Sequence, residues 1–416
     1  MLIPLHDGCA LIVASRFFSL VHPVSMPATH PAIRVLHVYK TYYPDTTGGV
    51  EKVLQQLVRA LAPMGVESRL LVLSPDPHPR HIEYPGVTVI RCQTSFTMAS
   101  NPMSVSVLRE FRHQLAWADV VHYQFPWPFG DLMHLLHGTR KPSVVSYQSD
   151  IVRQKNLMRL YRPLMQQFLG RVDRVCATSP SYRDTSAVLS QLRQPVDIIP
   201  NGLDPDMCPP APADVREHWR GRCGEGFMLF VGVLRYYKGL HTLIEAAAGV
   251  DATVVIAGSG PEAASLQALA QRLGASRVHF LGHVSDEDKS ALLELCGVFV
   301  FPSHLRSEAF GMSLVEAAMY AKPMISCEIG TGTSYVNLHG VTGLTVTPEN
   351  PAALQAAMQH LLDSPTQAKE MGFAARQRYE AHFTGHRMAL AYFRLYQQLL
   401  EKRHATVPAA LSVPPV

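Results

Sequence analysis

Two carboxylates, Glu308 and Glu316, stand on either side of a Phe310-Gly311-Met312 turn in the stretch SEAFGMSLVEA, Ser307 to Ala317. The run VFVF just before it reads as a buried parallel strand, and in open α/β sheets ligands collect beyond the carboxyl ends of such strands. Ser313, followed three residues later by Glu316, matches a capping box. A helix is therefore expected to begin at Ser313 with its unsatisfied N–H groups turned back towards Glu308. A helix N-terminus attracts phosphate, whereas a carboxylate beside it repels phosphate and accepts hydrogen bonds from hydroxyls. Taken singly, Glu316 reads better as a capping residue and Glu308 as a solvated loop charge. Taken together, they fit a ligand that carries both a diphosphate and a sugar.

The elements that must hold these residues follow from the patterning. From Ile33 onwards, short apolar runs alternate with helix-period segments, the signature of βαβ units and parallel sheets. IRVLHVY, SRLLVLS, VTVIRC, DVVHY, SVVSY, DRVCATS and VDIIPNG read as strands of a first half; FMLFVG, ATVVIAG, VHFLG, VFVFPS and PMISC form a second series from Phe227. The expected fold class is α/β with two doubly wound Rossmann-like domains, and a length of 416 residues agrees with two. The expected division has an extension over 1–31, a first domain over 32–205 and a Pro- and Gly-rich linker without apolar periodicity over 206–226. A second domain over 227–384, a closing helix over 385–401 and an unstructured tail over 402–416 complete it. CALIVASRFFSLV, near the start, is interrupted by Arg16 and has no basic residue before Cys9, so it reads as an extension rather than an export signal. Met26 as the true start is the alternative.

Composition excludes several classes. An apolar fraction of 47% with 17% charged residues describes an ordinary globular protein. A net charge of +4 is far below that of a dedicated nucleic-acid binder. The seven cysteines are scattered and never form Cys-x-x-Cys, which points to reduced thiols and a cytoplasmic location, with neither a disulfide framework nor a zinc site. Asp286-Glu287-Asp288 after Ser285 reads as an acidic first helical turn, and Asp204-Pro205-Asp206 belongs to the linker. No metal and no cofactor is expected.

Two further stretches fall in order along the chain. TYYPDTTGGVEKVLQQLVRAL places Gly48-Gly49 between a strand and a helix, where glycine lets the backbone approach a phosphate; a plain tight turn is the equal alternative. FVGVLRYYKGL follows a strand and sets Arg235 and Lys238 where cations could neutralise a leaving diphosphate. With Glu308 and Glu316 after them, the stretch from about Ile33 to Glu401 resembles the family 4 retaining glycosyltransferases, which have two facing Rossmann domains (GT-B) and a cleft between them.

The resemblance implies a nucleotide-sugar donor and a glycan or lipid-linked glycan acceptor. It implies that Glu308 holds donor sugar hydroxyls, that the amides around Phe310, Gly311, Met312 and Ser313 contact sugar and phosphate, and that Glu316 binds the ribose. Gly48 and Gly49 would lie beside the diphosphate and acceptor, with Lys238 and Arg235 at the departing charge. Two positions depart from the family pattern. Gln148, in SYQSDI, stands where the family commonly has a histidine near the donor sugar, and the neighbouring Gln124 also replaces a usual histidine. Glutamine can hydrogen-bond but cannot exchange a proton near neutral pH. Val233 takes the place of the usual arginine, with Arg235 two residues later.

HYQFPWPFGDL, SYQSDIVRQK and GVLRYYKGL are most similar to the mannosyl- and rhamnosyltransferases of bacterial surface-polysaccharide synthesis, which implies a GDP-mannose or GDP-rhamnose donor. SDIVRQKNLMRLYRPLMQQFLGRVDR concentrates Arg153, Lys155, Arg159, Arg162, Arg171 and Arg174 beside Leu157, Leu160 and Leu164 on one helical face. This reads either as a dock for anionic lipid at the inner membrane face or as a surface helix with its leucines in the core. Two rivals remain: a degenerate transferase that binds donor without turnover, and a nucleotide-sugar epimerase of the same architecture.

Overall fold

Two parallel sheets carry the chain. In the first, Ile33–Val38 lies between Val66–Ser74 and Val120–Phe125. Val87–Gln93 and the antiparallel edge His81–Tyr84 extend one side; Ser143–Tyr147, Arg174–Ala177 and Val196–Ile198 extend the other. In the second, the strands Met228–Val231, Val254–Ala257, Val278–Gly282, Val298–Phe301, Met324–Cys327 and Gly343–Val346, counted in chain order, lie 3-2-1-4-5-6 and are all parallel. That is the strand order of a dinucleotide-binding Rossmann sheet. Every residue of Val120–Phe125, Ser143–Tyr147 and Val298–Phe301 is buried, because helices cover both faces of a parallel sheet and no polar alternation survives. This computed structural model describes residues 32–98, 101–138, 140–151 and 155–406. The expected extension over 1–31, residues 407–416 of the expected tail and Arg153 lie outside the described residues, as do the side chains of Lys155 and Leu157.

Two expectations need correction. The stretch over 206–226 is not a bare linker, because Ala213–Cys223 is a helix. Its apolar stripe is short, Val215, Trp219 and Cys223 against the core of the second lobe, and it is pinned by Trp219 Nε1 donating to Asp288 at 2.8 Å and by Arg216 paired with Glu294 at 3.1 Å. The closing helix runs on to Thr406, so the expected tail begins too early. The edge strand His81–Tyr84, the ribbon of Phe96–Met98 with Asn101–Met103, and the strand Gly343–Val346 were not legible as strands.

The chain crosses from the first lobe to the second and back along neighbouring paths. Leu203 N–H donates to Phe383 O at 2.9 Å and the Tyr379 hydroxyl donates to Leu203 O at 2.7 Å. After the return, the helix Gly385–Thr406 lays Met388, Ala389, Tyr392, Leu395 and Tyr396, one helical stripe, against Val35, Val53 and Leu57 of the first lobe.

Beneath that helix lies a polar knot. His122 Nδ1 meets the Tyr396 hydroxyl at 2.7 Å, His122 Nε2 meets Ser146 Oγ at 2.7 Å, and Ser146 Oγ meets the Tyr392 hydroxyl at 2.5 Å. The neighbouring His37 ring, 5.2 Å from that of His122, is fully buried, with neither nitrogen bonded among the described residues. Burial pushes its pKa down to about 3. Between that value and the unfolded 6.5 the unfolded chain binds the extra proton, so the stability held above pH 6.5 is lost as pH falls. The expected slope from His37 is about 1.4 kcal/mol per pH unit. Denaturant melts between pH 7 and 5 should therefore show His37→Leu with a flatter acid limb; an unchanged limb refutes the assignment.

Candidate active site

In a 3-2-1-4-5-6 sheet the order reverses between the first and fourth strands, and ligands bind in the crevice beyond their carboxyl ends. Here those strands are Met228–Val231 and Val298–Phe301, which pair directly. Lys238 follows the first and Glu308 the second. Lys238 Nζ donates to Glu308 Oε2 at 2.5 Å, with Ser303 Oγ at 3.4 Å from the same oxygen. The two side chains are only 10% and 12% exposed, and Nζ lies 4.6 Å from the centroid of the Phe301 ring. The expected cation and the expected hydroxyl acceptor thus form one ion pair. Arg235 does not join them: it is exposed, at the start of the short Tyr236–Lys238 turn, and makes no ion pair among the described residues.

The helix after Glu308 is Met312–Met319, capped by Gly311 with φ at 91°, a left-handed backbone that favours glycine. The expected capping box at Ser313 is absent. With the cap at Gly311, Ser313 falls inside the first turn, and Glu316 cannot reach back as an N3 carboxylate. Its Oε1 accepts instead from Lys289 Nζ at 2.8 Å. A capping box does form further back, where Ser285 and Asp288 bond each other's backbone N–H at 3.0 and 3.1 Å. Leu314 N–H turns back to Gly311 O at 2.9 Å, which leaves the Met312 and Ser313 amides at the helix start beside Glu308, the kind of terminus that attracts anions. Phe310 is buried edge-on to Phe383 at 6.0 Å between centroids, so its side chain anchors the loop.

Two bridges bring this loop against the first lobe. Lys289 holds Asp286 at 3.1 Å as well as Glu316, and Asp286 reaches Lys52 at 3.6 Å, one helical turn after Gly48-Gly49. Burial opposes the charge on Lys289, but Glu316 and then Asp286 more than offset it and hold the pKa above the usual lysine range. On the other side Arg306 pairs with Asp150 at 3.1 Å and donates to Thr185 Oγ1 at 2.8 Å and Gly330 O at 2.9 Å. Arg306 is two residues before Glu308 and Asp150 two residues after Gln148, so the loops bearing those residues meet here. Lys289, Asp286, Arg306 and Asp150 were missed in the sequence. Asp286 was legible only as a helix-start charge, and nothing local ties Lys289 to Glu316.

The Gly48-Gly49 loop opens the helix Gly49–Leu61. A Cβ at Gly48 would collide with Oε2 of Glu51, whereas one at Gly49 would meet nothing. Glu51 is buried and accepts from Thr46 Oγ1 at 2.7 Å and Thr41 Oγ1 at 3.3 Å, bracing the loop. Gln148 is buried too: its Nε2 donates to Gln124 Oε1 at 3.0 Å and its Oε1 accepts from Asn201 Nδ2 at 3.1 Å.

Comparison with known proteins shows the family. A D-rhamnosyltransferase, WbpZ, of Pseudomonas aeruginosa is 54% identical over 352 residues, covering 85% of this chain and 92% of the relative. The chain belongs to glycosyltransferase family 4. Residues 47–207 match the model described as Glycosyltransferase Family 4, and 216–378 match Glycosyl transferases group 1. The O-antigen chain mannosyltransferase C of Escherichia coli is 44% identical over 377 residues, 89% of this chain and 100% of that one. Among solved structures, a sucrose-phosphate synthase from Thermosynechococcus elongatus superposes with a TM-score of 0.74 at 22% identity, over 89% of this chain and 100% of that chain. Anabaena Alr3699/HepE in complex with UDP gives 0.70 at 18% identity, over 88% and 100%. These two speak for the fold.

As a family 4 glycosyltransferase the protein is an enzyme, and the epimerase reading falls away. Its basic helix, Lys155–Leu169, differs from expectation: Tyr161, Met165 and Phe168 face the core, Leu164 is half-buried, and Leu160 is 80% exposed. Arg174 is drawn off to Asp197 at 3.5 Å. Next to the helix is a cavity of about 1070 Å³ lined by Arg159, Arg162, Met165, Leu169, Gln191 and Arg193 among others, all from the first lobe. Among the described residues, no helix is long and apolar enough to cross a membrane.

Proposed function

We propose that this family 4 glycosyltransferase transfers mannose or rhamnose, with retention, from a GDP-sugar to a glycan in surface-polysaccharide synthesis. The observation that carries the reading is the Lys238–Glu308 pair at the switch point, beside the Met312 and Ser313 amides that open the helix Met312–Met319. The named activities of the two relatives, one a rhamnosyl- and one a mannosyltransferase, support the choice of sugar.

In this reading the donor diphosphate lies on the amides of Met312 and Ser313. Lys238 turns part of its charge to the phosphate as negative charge develops there, and fixed charges stabilise it without reorganising. Glu308 accepts hydroxyls of the donor sugar. Glu316, held by Lys289, accepts from the ribose, and Gly49 leaves room for the diphosphate and acceptor. Arg235, being exposed, would join only as the lobes close over the donor. The arginines around the first-lobe cavity support an anionic, lipid-linked acceptor and peripheral membrane contact.

One experiment tests both halves. Thermal melts against a panel of nucleotide sugars should rise most with GDP-mannose or GDP-rhamnose, since a ligand that prefers the native state stabilises it. The same samples should co-sediment with anionic vesicles at low salt. A panel in which no nucleotide sugar shifts the melt, or only UDP-sugars do, rejects the donor; vesicle binding that survives loss of Arg159, Arg162 and Arg193 rejects the membrane contact.

A further inference from the structure

His304, like His37, is a buried imidazole without a hydrogen bond. Its side chain has 0% exposure, and neither ring nitrogen has a hydrogen-bond partner among the described residues. Leaving both polar atoms dry is unfavourable unless something else satisfies them. Nδ1 lies against the main chain, where a Cβ at Gly239 would come within 3.2 Å of it. Nε2 faces Glu349 Oε1 at 3.8 Å, too far for a hydrogen bond. His241 completes the group: one ligating atom from each of the three side chains lies within 4.8 Å of the other two. The His241 ring stands edge-on to His304, 5.2 Å between centroids, and is stacked on Tyr236.

We propose that His304 Nε2, His241 and Glu349 bind one transition-metal ion of the zinc class, with a fourth position left to water. Two imidazoles and a single carboxylate suit Zn²⁺, Co²⁺ or Ni²⁺; Mg²⁺ and Ca²⁺ call for oxygen ligands throughout. Bonds of about 2.0–2.1 Å in a tetrahedral site set ligating atoms roughly 3.3 Å apart, so the widest separation must close by about 1.5 Å. His304 is fixed by packing, and Glu349, 59% exposed, and the half-buried His241 can make that movement. Glu349 also holds a left-handed backbone at φ 53°, unusual for glutamate, in the loop before the helix Pro351–Asp363.

The consequence is mechanical. His241 belongs to the helix that follows Lys238, and His304 lies in the loop that carries Glu308; its N–H already donates to Tyr237 O at 3.0 Å. An ion here clamps to each other the two segments that form the Lys238–Glu308 pair, without taking part in sugar transfer. No motif announces the site, because its ligands come from three distant stretches. The inference rests on these residues alone and stands whichever sugar the enzyme moves.

Untagged full-length protein, stripped with a chelator, is titrated with Co²⁺ by visible absorption and with Zn²⁺ by calorimetry and thermal melts. The expected result is one equivalent bound, a four- or five-coordinate cobalt spectrum without a thiolate charge-transfer band, and a melting temperature that rises with free Zn²⁺. His241→Gln and Glu349→Gln, changes outside the packed core, should each weaken binding by more than about 100-fold, because losing a ligand costs more than losing the group behind one. His304→Gln should abolish it. A thiolate band, no binding in the micromolar range, or unchanged affinity in folded His241→Gln overturns the proposal.

Discussion

Replacing Glu308 by glutamine is expected to lower the transfer rate about 100- to 1000-fold, the range seen when one preorganised electrostatic contact is removed from an active site. The substitution keeps the shape and one carbonyl acceptor, so donor binding should fall far less than turnover. It also leaves Lys238, which is 10% exposed, with its charge and no carboxylate. Breaking a buried pair on one side costs about 3 kcal/mol, so the single variant should melt early. Lys238→Met combined with Glu308→Gln separates the two effects. The stray charge is then gone and most of the stability should return, whereas the rate stays low because neither group is present for the donor. Rates measured well below each melting point are the readout. A Glu308→Gln enzyme within threefold of wild type, or a double variant that regains activity along with stability, would show the pair to be only a structural contact.

What could be read in advance follows physical lines. Parallel strands such as VVHYQF and VFVF are buried on both faces, so they stand out as apolar runs, and the glutamates beyond VFVF fall at a switch point once the order of strands is known. Short edge pieces such as His81–Tyr84, with exposed and half-buried residues, carry no such run. The helix Ala213–Cys223 was missed because its stripe is only three residues, Val215, Trp219 and Cys223, set among charged residues, and contacts to distant Asp288 and Glu294 complete its anchoring. At the site, Glu308 and Lys238 were legible separately, each from its place after a strand. Their pairing, the shift of the cap from Ser313 to Gly311, and the Lys289–Glu316 contact depend on how the loops pack, and local sequence says nothing of that. The arginine expected to compensate for Val233 shows the same limit: proximity along the chain did not bring Arg235 to the pair.

The glutamine pair allows a sharper test of whether this enzyme has kept its turnover. If Gln148 and Gln124 marked decay from a histidine-bearing ancestor, restoring Gln148→His should raise activity. The geometry argues the reverse. The Gln148 amide spans two buried partners, donating to Gln124 and accepting from Asn201 of the segment that crosses between the lobes. An imidazole has one donor and one acceptor, but they sit at different distances from the main chain, and a single ring cannot occupy both places of a terminal amide. Each buried group left unsatisfied costs about 1–3 kcal/mol. Gln148→His is therefore expected to destabilise the fold by about 2 kcal/mol or more and to lower transfer, with Asn201 released from the position that links the lobes. Denaturant melts and transfer assays on the same preparations decide it. Higher transfer in Gln148→His than in wild type, at unchanged stability, would favour the degenerate transferase; a joint fall in both would mean that the two glutamines work as a unit which substituted for the histidines together.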